Sequence, residues 1–494
     1  MPETAAAASR LRWLVLVTVI VGTFLGRLDQ TIVNLALPKI IEDFGISVSS
    51  AGWIATAYIL ANAIFVPIWG KLGDTLGRKR IYIIGFSVFI LGSVLAGLAW
   101  NLSSMIVFRV IQAIAGSADY PTAMAILAVT FPEEKERAQA LGIWSASFAA
   151  AAVFGPLLGG PLIDNFGWRS VFLINLPVGI VGYLMARKYI NESKSEQEPK
   201  SFDWLGSILL GAALSALVLV LDKGMDWGWL STKSLISYAA VTVFLAMFVR
   251  VESRHPDPVV DLKFFRNSIF VNALTNNFIV FMGMMGSIFL VPLFAQTFLG
   301  FNATQTGLIF LPMAAGMMIG APLGGLLTGK VQPRYVIGVS TAVAALGIWM
   351  FSFLDPKSTL LDLVIPLSVM AFGLGFGMAQ RTSAVASAVP QHEIGVASSI
   401  LALARNMAGA FGIAVFGTIL TVSTKNRLLE IAASSVINDP STSGTAAGLM
   451  ILKAQISAYG TVFLVASILV AIGAIGAFLM KDLTIRKGEH IMVE

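Results

Sequence analysis

Apolar residues along this chain neither alternate with polar ones nor stay on a single helical stripe. They come in runs of roughly 18–27 residues, separated by short polar or charged stretches. About 20 apolar residues are what an α-helix needs to cross a bilayer core roughly 30 Å thick. Fourteen such runs stand out, at 13–36, 52–69, 81–99, 103–127, 140–162, 171–189, 204–221, 233–250, 269–291, 306–328, 334–353, 363–380, 394–420 and 456–479. Lipid offers no partners to backbone amides and carbonyls, so each run must satisfy its own hydrogen bonds as a helix. The pattern predicts an all-α integral membrane protein with 14 spans.

Composition agrees with the pattern. Of 494 residues, 56% are hydrophobic and 12% charged, with a mean hydropathy of +0.82, far from an ordinary soluble domain. There is no cysteine, which excludes disulfides, thiolate metal sites and cysteine nucleophiles, and His255, His392 and His490 fall in polar stretches. No metal or cofactor is expected. The net charge of +6 is read here through its distribution, not as a nucleic-acid footprint. With the N-terminus inside, most Lys and Arg fall on inner segments, among them Arg10, Arg78, Lys79, Arg80, Arg334 and, after the twelfth run, Arg381. Both termini are therefore expected in the cytoplasm. The first run is long enough to span and no small-residue cleavage site follows it, so no cleavable signal peptide is expected.

Two charged inner stretches read as joints, "NESKSEQEPKSFD" and the Pro-bearing "RVESRHPDPVVDLKFFRN". They divide the chain into a six-helix bundle over 1–190, two additional helices with their linkers over 191–265, and a second six-helix bundle over 266–494. A faint echo between "WGKLGDTLGRKR" and "LTGKVQPRY", each after the second span of its bundle, is consistent with related halves.

"GKLGDTLGRKR" (70–80) places Gly70, Gly73 and Gly77 for a tight turn, with Asp74 positioned to cap the next helix and Arg78 four residues on. This Gly, Asp, Gly, Arg spacing between the second and third spans resembles the major facilitator superfamily. Further motifs resemble its fourteen-span drug:proton antiporter branch: "LDQTIVNLALP" (28–38), "RVIQAIAGSADYP" (109–121), "AVFGPLLGGPL" (152–162) and "WRSVFLINLPVG" (168–179). The resemblance implies a major facilitator fold, a cytoplasmic latch at Gly70, Gly73, Asp74, Gly77 and Arg78, a proton-coupling role for Arg109, and an antiport-linked helix bend at Gly155 and Pro156, with Gly159 and Gly160 in the same motif. The chain departs from the pattern at Ala113, where the family has glycine after the glutamine, and Asp119 is not a standard member of the fourth-helix motif.

Five charges lie inside the apolar runs: Arg27, Asp29, Arg109, Asp119 and Arg405. Each would cost roughly 2.5–3.5 kcal/mol in lipid unless paired or wetted. At 1.5 Å per residue, Asp29 and Arg109 lie about 10 and 9 Å from the outer ends of their spans, so they can meet. Arg109, Gln112, Gly116 and Asp119 recur at helical spacing and form one stripe. Arg27 points about 200° away from Asp29 around the helix and is expected to snorkel toward a wet cavity. A carboxylate beside a cation, exposed alternately to each side, can exchange a proton, so Asp29, Arg109 and Asp119 are the expected proton-coupling residues. No acid lies within spans nine to fourteen. A substrate cavity is expected from Arg27, Gln112, Asn272, Asn276, Met282, Met285, Arg405 and Asn406, with Met supplying an adaptable apolar lining.

The expected function is a proton-coupled antiporter that exports amphipathic small molecules by alternating access from a prokaryotic cytoplasmic membrane. Its partners would be the substrate, protons and membrane lipid, with no nucleic acid, and the chain would act as a monomer. An exporter or flippase of a lipid, lipid-linked or anionic metabolite on the same fold is the alternative, and a non-transporting sensor is another. No H-E-x-x-H, cysteine or intramembrane histidine supports an enzyme.

Overall fold

The computed structural model describes residues 2–193, 203–256, 258, 260–327, 330–389, 394–434 and 443–480. Its α-helices are α1 (Pro2–Phe44), α2 (Val48–Leu76), α3 (Arg78–Gly97), α4 (Leu102–Gly116), α5 (Asp119–Thr130), α6 (Glu134–Phe166), α7 (Ser170–Leu173), α8 (Asn175–Tyr189), α9 (Trp204–Trp227), α10 (Thr232–Glu252), α11 (Ser268–Phe298), α12 (Ala303–Gly325), α13 (Pro333–Met350), α14 (Leu360–Ser387), α15 (Ile394–Ser434) and α16 (Ser443–Phe478). Among the described residues, twelve helices are long and apolar enough to cross a membrane. Two expected spans, 103–127 and 140–162, are not among the twelve. The first is divided into α4 and α5, and the second lies in α6, some of whose side chains are not described. His392 and His490 also lie outside it.

The division of α4 from α5 has a local cause. Pro121 has no amide hydrogen to give Ser117, and its ring crowds the carbonyl four residues back. The helix stops there: Ser117 donates its hydroxyl to the Ile114 carbonyl at 2.7 Å, and α5 restarts at Asp119 with the proline in its first turn. Pro177 does the same to Leu173, so α7 ends at Leu173 and α8 begins at Asn175. Each break leaves a polar residue at the head of a new helix.

The chain packs as two compact units. Unit 1 comprises Met1–Ser215, Val241–Val259 and Asn302–Leu308. In it α1 packs on α6, α8 and α5, and α4 packs on α2 and α3. Its core joins Leu16, Val19, Tyr82, Leu127, Phe131 and Trp144, with a second cluster around Leu25, Phe86 and Phe89. Unit 2 comprises Ala216–Ala240, Val260–Phe301 and Ile309–Glu494. There α13 packs on α14 and α16, and α11 on α15. Fully buried Phe270, Phe289, Phe294, Phe351, Phe416 and Phe463 fill its interior. Glycines let these helices approach closely: a Cβ on Gly373 would meet the Ser340 carbonyl, and one on Gly347 the Pro366 carbonyl. By contrast, α10 turns Leu235, Ile236, Val243, Met247 and Val249 outward. An apolar helix with an apolar outer face suits lipid.

Candidate functional site

Asp29 sits in the middle of α1 and is completely buried. Arg109 of α4, 1% exposed, donates from Nη1 to Asp29 Oδ2 at 2.5 Å and to Gln112 Oε1 at 2.6 Å. Gln112 returns its Nε2 to Asp29 Oδ1 at 3.0 Å. The same oxygen accepts from Asn175 Nδ2 at 2.9 Å, and Asn175 also donates to Ser93 Oγ at 2.8 Å. Ser93 passes its hydroxyl to the Phe172 carbonyl at 2.9 Å. The guanidinium lies over the Tyr58 ring at 4.1 Å. One carboxylate thus ties α1 to α4 and α8, and through Ser93 to α3. Burying two charges in this way is tolerable only because each has close partners, an ion pair reinforced by neutral donors and an aromatic face.

Asp119 belongs to a separate cluster. Its Oδ2 accepts from Thr23 Oγ1 at 2.7 Å, and Thr23 in turn accepts from Trp144 Nε1 at 2.9 Å. Its Oδ1 is enclosed without a hydrogen-bond partner. Beside it lies a cavity of about 20 Å³ lined by Gly22, Gly26, Tyr82, Gly85 and Asp119, enough for one water. Thr23 and Asp29 are six residues apart on α1, so the two carboxyls lie roughly 9 Å apart along it. The structure therefore joins Asp29, Arg109 and Gln112 but sets Asp119 apart from them. Arg27 leaves Asp29 alone, as its angular position implied, and donates to Gln30 Oε1 at 3.1 Å.

At the α2–α3 turn, Gly77 has φ +110°, which favours glycine. It ends α2 and starts α3 with no side-chain cap of its own. The first free amides of α3 are met from far away in sequence: Glu192 accepts from Lys79 N at 3.0 Å and Arg80 N at 3.1 Å. Glu192 caps α3 from the chain leaving α8, where Ser193 O accepts from Arg78 N at 2.9 Å, while the capping expected of Asp74 falls on a side chain that is not described. Gly70 and Gly73 face Pro121 and Thr122 of α5.

In α6, Gly155 and Gly159 are buried against α1, where a Cβ would collide with Thr31 and Ile32 respectively. Gly160 backs onto Thr304, and Pro156 presents its carbonyl to Gly307. The helix runs on through Pro156 and Pro161. Farther along α6, Asp164 accepts from Ala303 N at 3.0 Å and Thr304 N at 2.9 Å, capping α12 from outside it.

Unit 2 holds the remaining candidates. Asn276 is buried; its oxygen accepts from Arg381 Nε at 2.8 Å and its amide donates to Gly473 O at 2.9 Å. Arg405 donates from Nε to Asn277 Oδ1 at 3.3 Å and from Nη2 to Thr382 Oγ1 at 3.3 Å. Its guanidinium lies 5.0 Å from the Phe281 ring centre. Met282, Met285 and Asn406 are half-buried and Asn272 is exposed. Arg381 corrects the sequence reading that put it in a loop. It lies inside α14 and is 1% exposed, because α14 continues past the apolar window at 380 and folds the guanidinium back toward its own Leu374 carbonyl at 3.2 Å.

The sequence model of the Major Facilitator Superfamily matches residues 19–413. The chain belongs to the major facilitator superfamily. It is 34% identical over 432 residues to multidrug resistance protein Stp of Mycobacterium tuberculosis, covering 87% of this chain and 80% of that protein. It is 32% identical over 419 residues to the tetracenomycin C resistance and export protein of Streptomyces glaucescens, covering 85% and 78%. Among solved structures it resembles a bacterial homolog of the human lysosomal transporter Spinster, with a TM-score of 0.70 at 19% identity over 95% of this chain and 96% of that one. That likeness shows the fold.

As a major facilitator transporter the protein is not an enzyme. Several polar residues of its clusters escaped the sequence reading, among them Asn175, Ser93, Thr23, Glu192 and Asp164. Asn175 carried a usable signal, since Pro177 two residues later marks a helix start that would free its side chain for a distant partner.

Proposed function

We propose that this major facilitator protein is a proton-coupled antiporter that exports amphipathic small molecules, of the multidrug type, by alternating access. In this reading it has fourteen spans with both termini in the cytoplasm. Residues 191–265 form a pair of helices added between two six-helix bundles, and the protein resides as a monomer in a prokaryotic cytoplasmic membrane. The names of the relatives support export of toxic compounds. The observation that carries proton coupling is the Asp29 carboxylate, which three side chains from two other helices hold at the centre of unit 1.

Protonating Asp29 removes the negative charge on which Arg109 rests. A neutral carboxyl has one oxygen that donates instead of accepting, so Arg109 must find another acceptor and the tie between α1 and α4 loosens. That gives a proton a mechanical consequence, the requirement for coupling it to an access change. Asp119, with one oxygen free beside a water-sized cavity, serves as a second proton site and a step on the route. Gly155 and Gly159 keep α6 close to α1, where a shift of α1 would be felt, and Gly160 keeps it close to Thr304 at the start of α12. The turn at Gly77, held by Glu192, acts as the cytoplasmic latch.

The test is efflux from proteoliposomes under an imposed pH gradient, comparing the wild type with Asp29→Asn and Asp119→Asn. Gradient-driven export by the wild type, lost in Asp29→Asn while the variant stays folded, is the expected result. Export by the wild type that ignores the gradient would refute proton coupling. No substrate-dependent flux at all would favour the sensor reading.

A further inference from the structure

Two oxygens in unit 1 face one small void, and both have bonding capacity left over. Asp119 Oδ2 is taken by Thr23, but Oδ1 is enclosed with no hydrogen-bond partner. Tyr82 of α3 is 2% exposed. Its hydroxyl donates to the Thr18 carbonyl at 3.5 Å, longer than the usual bond of this kind. A phenol oxygen that donates once can still accept, and among the described residues nothing donates to this one.

The void exists because residue 22 is glycine. A Cβ there would lie against both Tyr82 Oη and Asp119 Oδ1, so the two oxygens are at most roughly 5 Å apart, yet they make no direct bond. One water with two bonds of about 2.8 Å spans that distance. The cavity, about 20 Å³, admits one water. Gly22 and Gly26 of α1 meet Gly85 of α3 and Gly116 of α4 around it, and Phe86 and Phe89 close its apolar side. Two side-chain oxygens are too few for a hard cation, which takes about six.

Helices α1, α2, α3 and α6 pack against α5. Among the described residues of these helices, the charged and titratable groups that act on Asp119 are Arg27 of α1 and Tyr82 of α3. From α6, Trp144 reaches Thr23, and α2 sets Gly70 and Gly73 against Pro121 and Thr122. Of all these side chains, Tyr82 is the one that borders the void with Asp119.

We propose that one ordered water bridges Asp119 Oδ1 and Tyr82 Oη, and that Tyr82 is thereby a positioning residue for the proton site at Asp119. With the carboxylate ionised, the water donates one hydrogen to Oδ1 and the other to Tyr82 Oη, while Tyr82 keeps its bond to Thr18. An incoming proton binds the water oxygen, the O–H bond aimed at Oδ1 breaks, and an Oδ1–H bond forms that donates back to the water. This inference rests on the reading of Asp119 as a second proton site, but its measurement needs no transport.

The experiment is infrared difference spectroscopy of the full chain in liposomes between alkaline and acidic buffer, in ordinary and in oxygen-18 water. In the wild type, the carboxyl band that Asp119→Asn removes is accompanied by a water O–H band that moves in oxygen-18 water. Tyr82→Phe keeps the ring that stacks on Phe86 and deletes the second partner of the water. The water band is then lost, and the midpoint of the Asp119 carboxyl band is displaced by roughly 0.5–1 pH unit, the effect of one hydrogen bond. The double variant Gly22→Ala/Tyr82→Phe puts a methyl group where the water and hydroxyl met. It should also lack the water band, and its thermal unfolding should match that of Tyr82→Phe, which separates loss of the water from loss of packing. A wild type with no oxygen-18-sensitive band, or a Tyr82→Phe variant with the wild-type water band and midpoint, overturns the proposal. The absence of any carboxyl band removed by Asp119→Asn refutes Asp119 as a proton site, and the positioning role with it. Export that ignores the pH gradient would refute proton coupling and leave these bands standing.

Discussion

Replacing Asp29 by asparagine removes one charge and leaves the shape nearly unchanged, which makes it the sharpest probe of unit 1. The asparagine has one acceptor oxygen where the aspartate has two. If that oxygen takes the place of Oδ1 it keeps Gln112 and Asn175, but its amide then faces the Arg109 donor that stood 2.5 Å from Oδ2. If it turns to Arg109, two donors at 3.0 and 2.9 Å meet another donor. In both arrangements a 1% exposed arginine loses its counter-charge. Breaking one side of a buried ion pair costs about 3–5 kcal/mol, against a folding stability on the order of 5–15 kcal/mol for a domain. The variant should therefore fold but unfold at a distinctly lower midpoint. Adding Arg109→Met removes the stranded cation, and buried pairs replaced by apolar groups are often neutral or stabilising. The double variant should recover at least half of the lost stability while remaining inactive. Thermal unfolding in detergent and gradient-driven efflux from proteoliposomes measure the two quantities on the same three proteins. If Asp29→Asn is as stable as the wild type, or the double variant is no better than the single one, the ion pair does not organise this site. An Asp29→Asn variant with full coupled export would remove Asp29 from the mechanism.

Asn175→Ala deletes one of two donors to Asp29 Oδ1 and the donor to Ser93, so stability should fall by about 1–3 kcal/mol and coupled export should be lowered but retain its pH dependence in the same efflux assay. Gly155→Ala drives a methyl group into Thr31 and should cost about 1–3 kcal/mol by overpacking, with partial rescue by Thr31→Ala in thermal unfolding. Glu192→Ala leaves the first amides of α3 without their acceptor, costing about 0.5–2 kcal/mol; hydrogen exchange should show faster loss of protection at Lys79 and Arg80 than elsewhere in α3. Exchange of one outward anion for one inward proton moves two charges across the membrane, each worth about 2.3 kcal/mol per 100 mV. Export of an anionic amphiphile should therefore respond to an imposed potassium diffusion potential more steeply than export of a neutral one, and equal responses would argue against anionic cargo in this exchange.

Much of unit 1 was legible because its information is periodic. Depth along a helix is arithmetic, so the heights of Asp29 and Arg109 could be compared before any packing was known, and the three-residue step from Arg109 to Gln112 put both on one face. The stripe from Arg109 through Gly116 to Asp119 crosses a break at Ser117 set by Pro121, yet Asp119 still meets α1, at Thr23; the six-residue step along α1 from Thr23 to Asp29 keeps the two clusters apart. Asn175 was hidden by the corresponding break before Pro177. Arg381 was lost for a different reason. An apolar window ends where a charge appears, but a helix ends only where its backbone bonds do, and α14 continues to Ser387. A reading that had asked where each proline forces a helix to restart would have marked Asp119 and Asn175 as heads of new helices, the positions from which side chains reach partners outside their own turn. Glu192 lies outside even that rule. Its contact with Lys79 joins residues 113 positions apart, and no local pattern encodes the path of the chain between them.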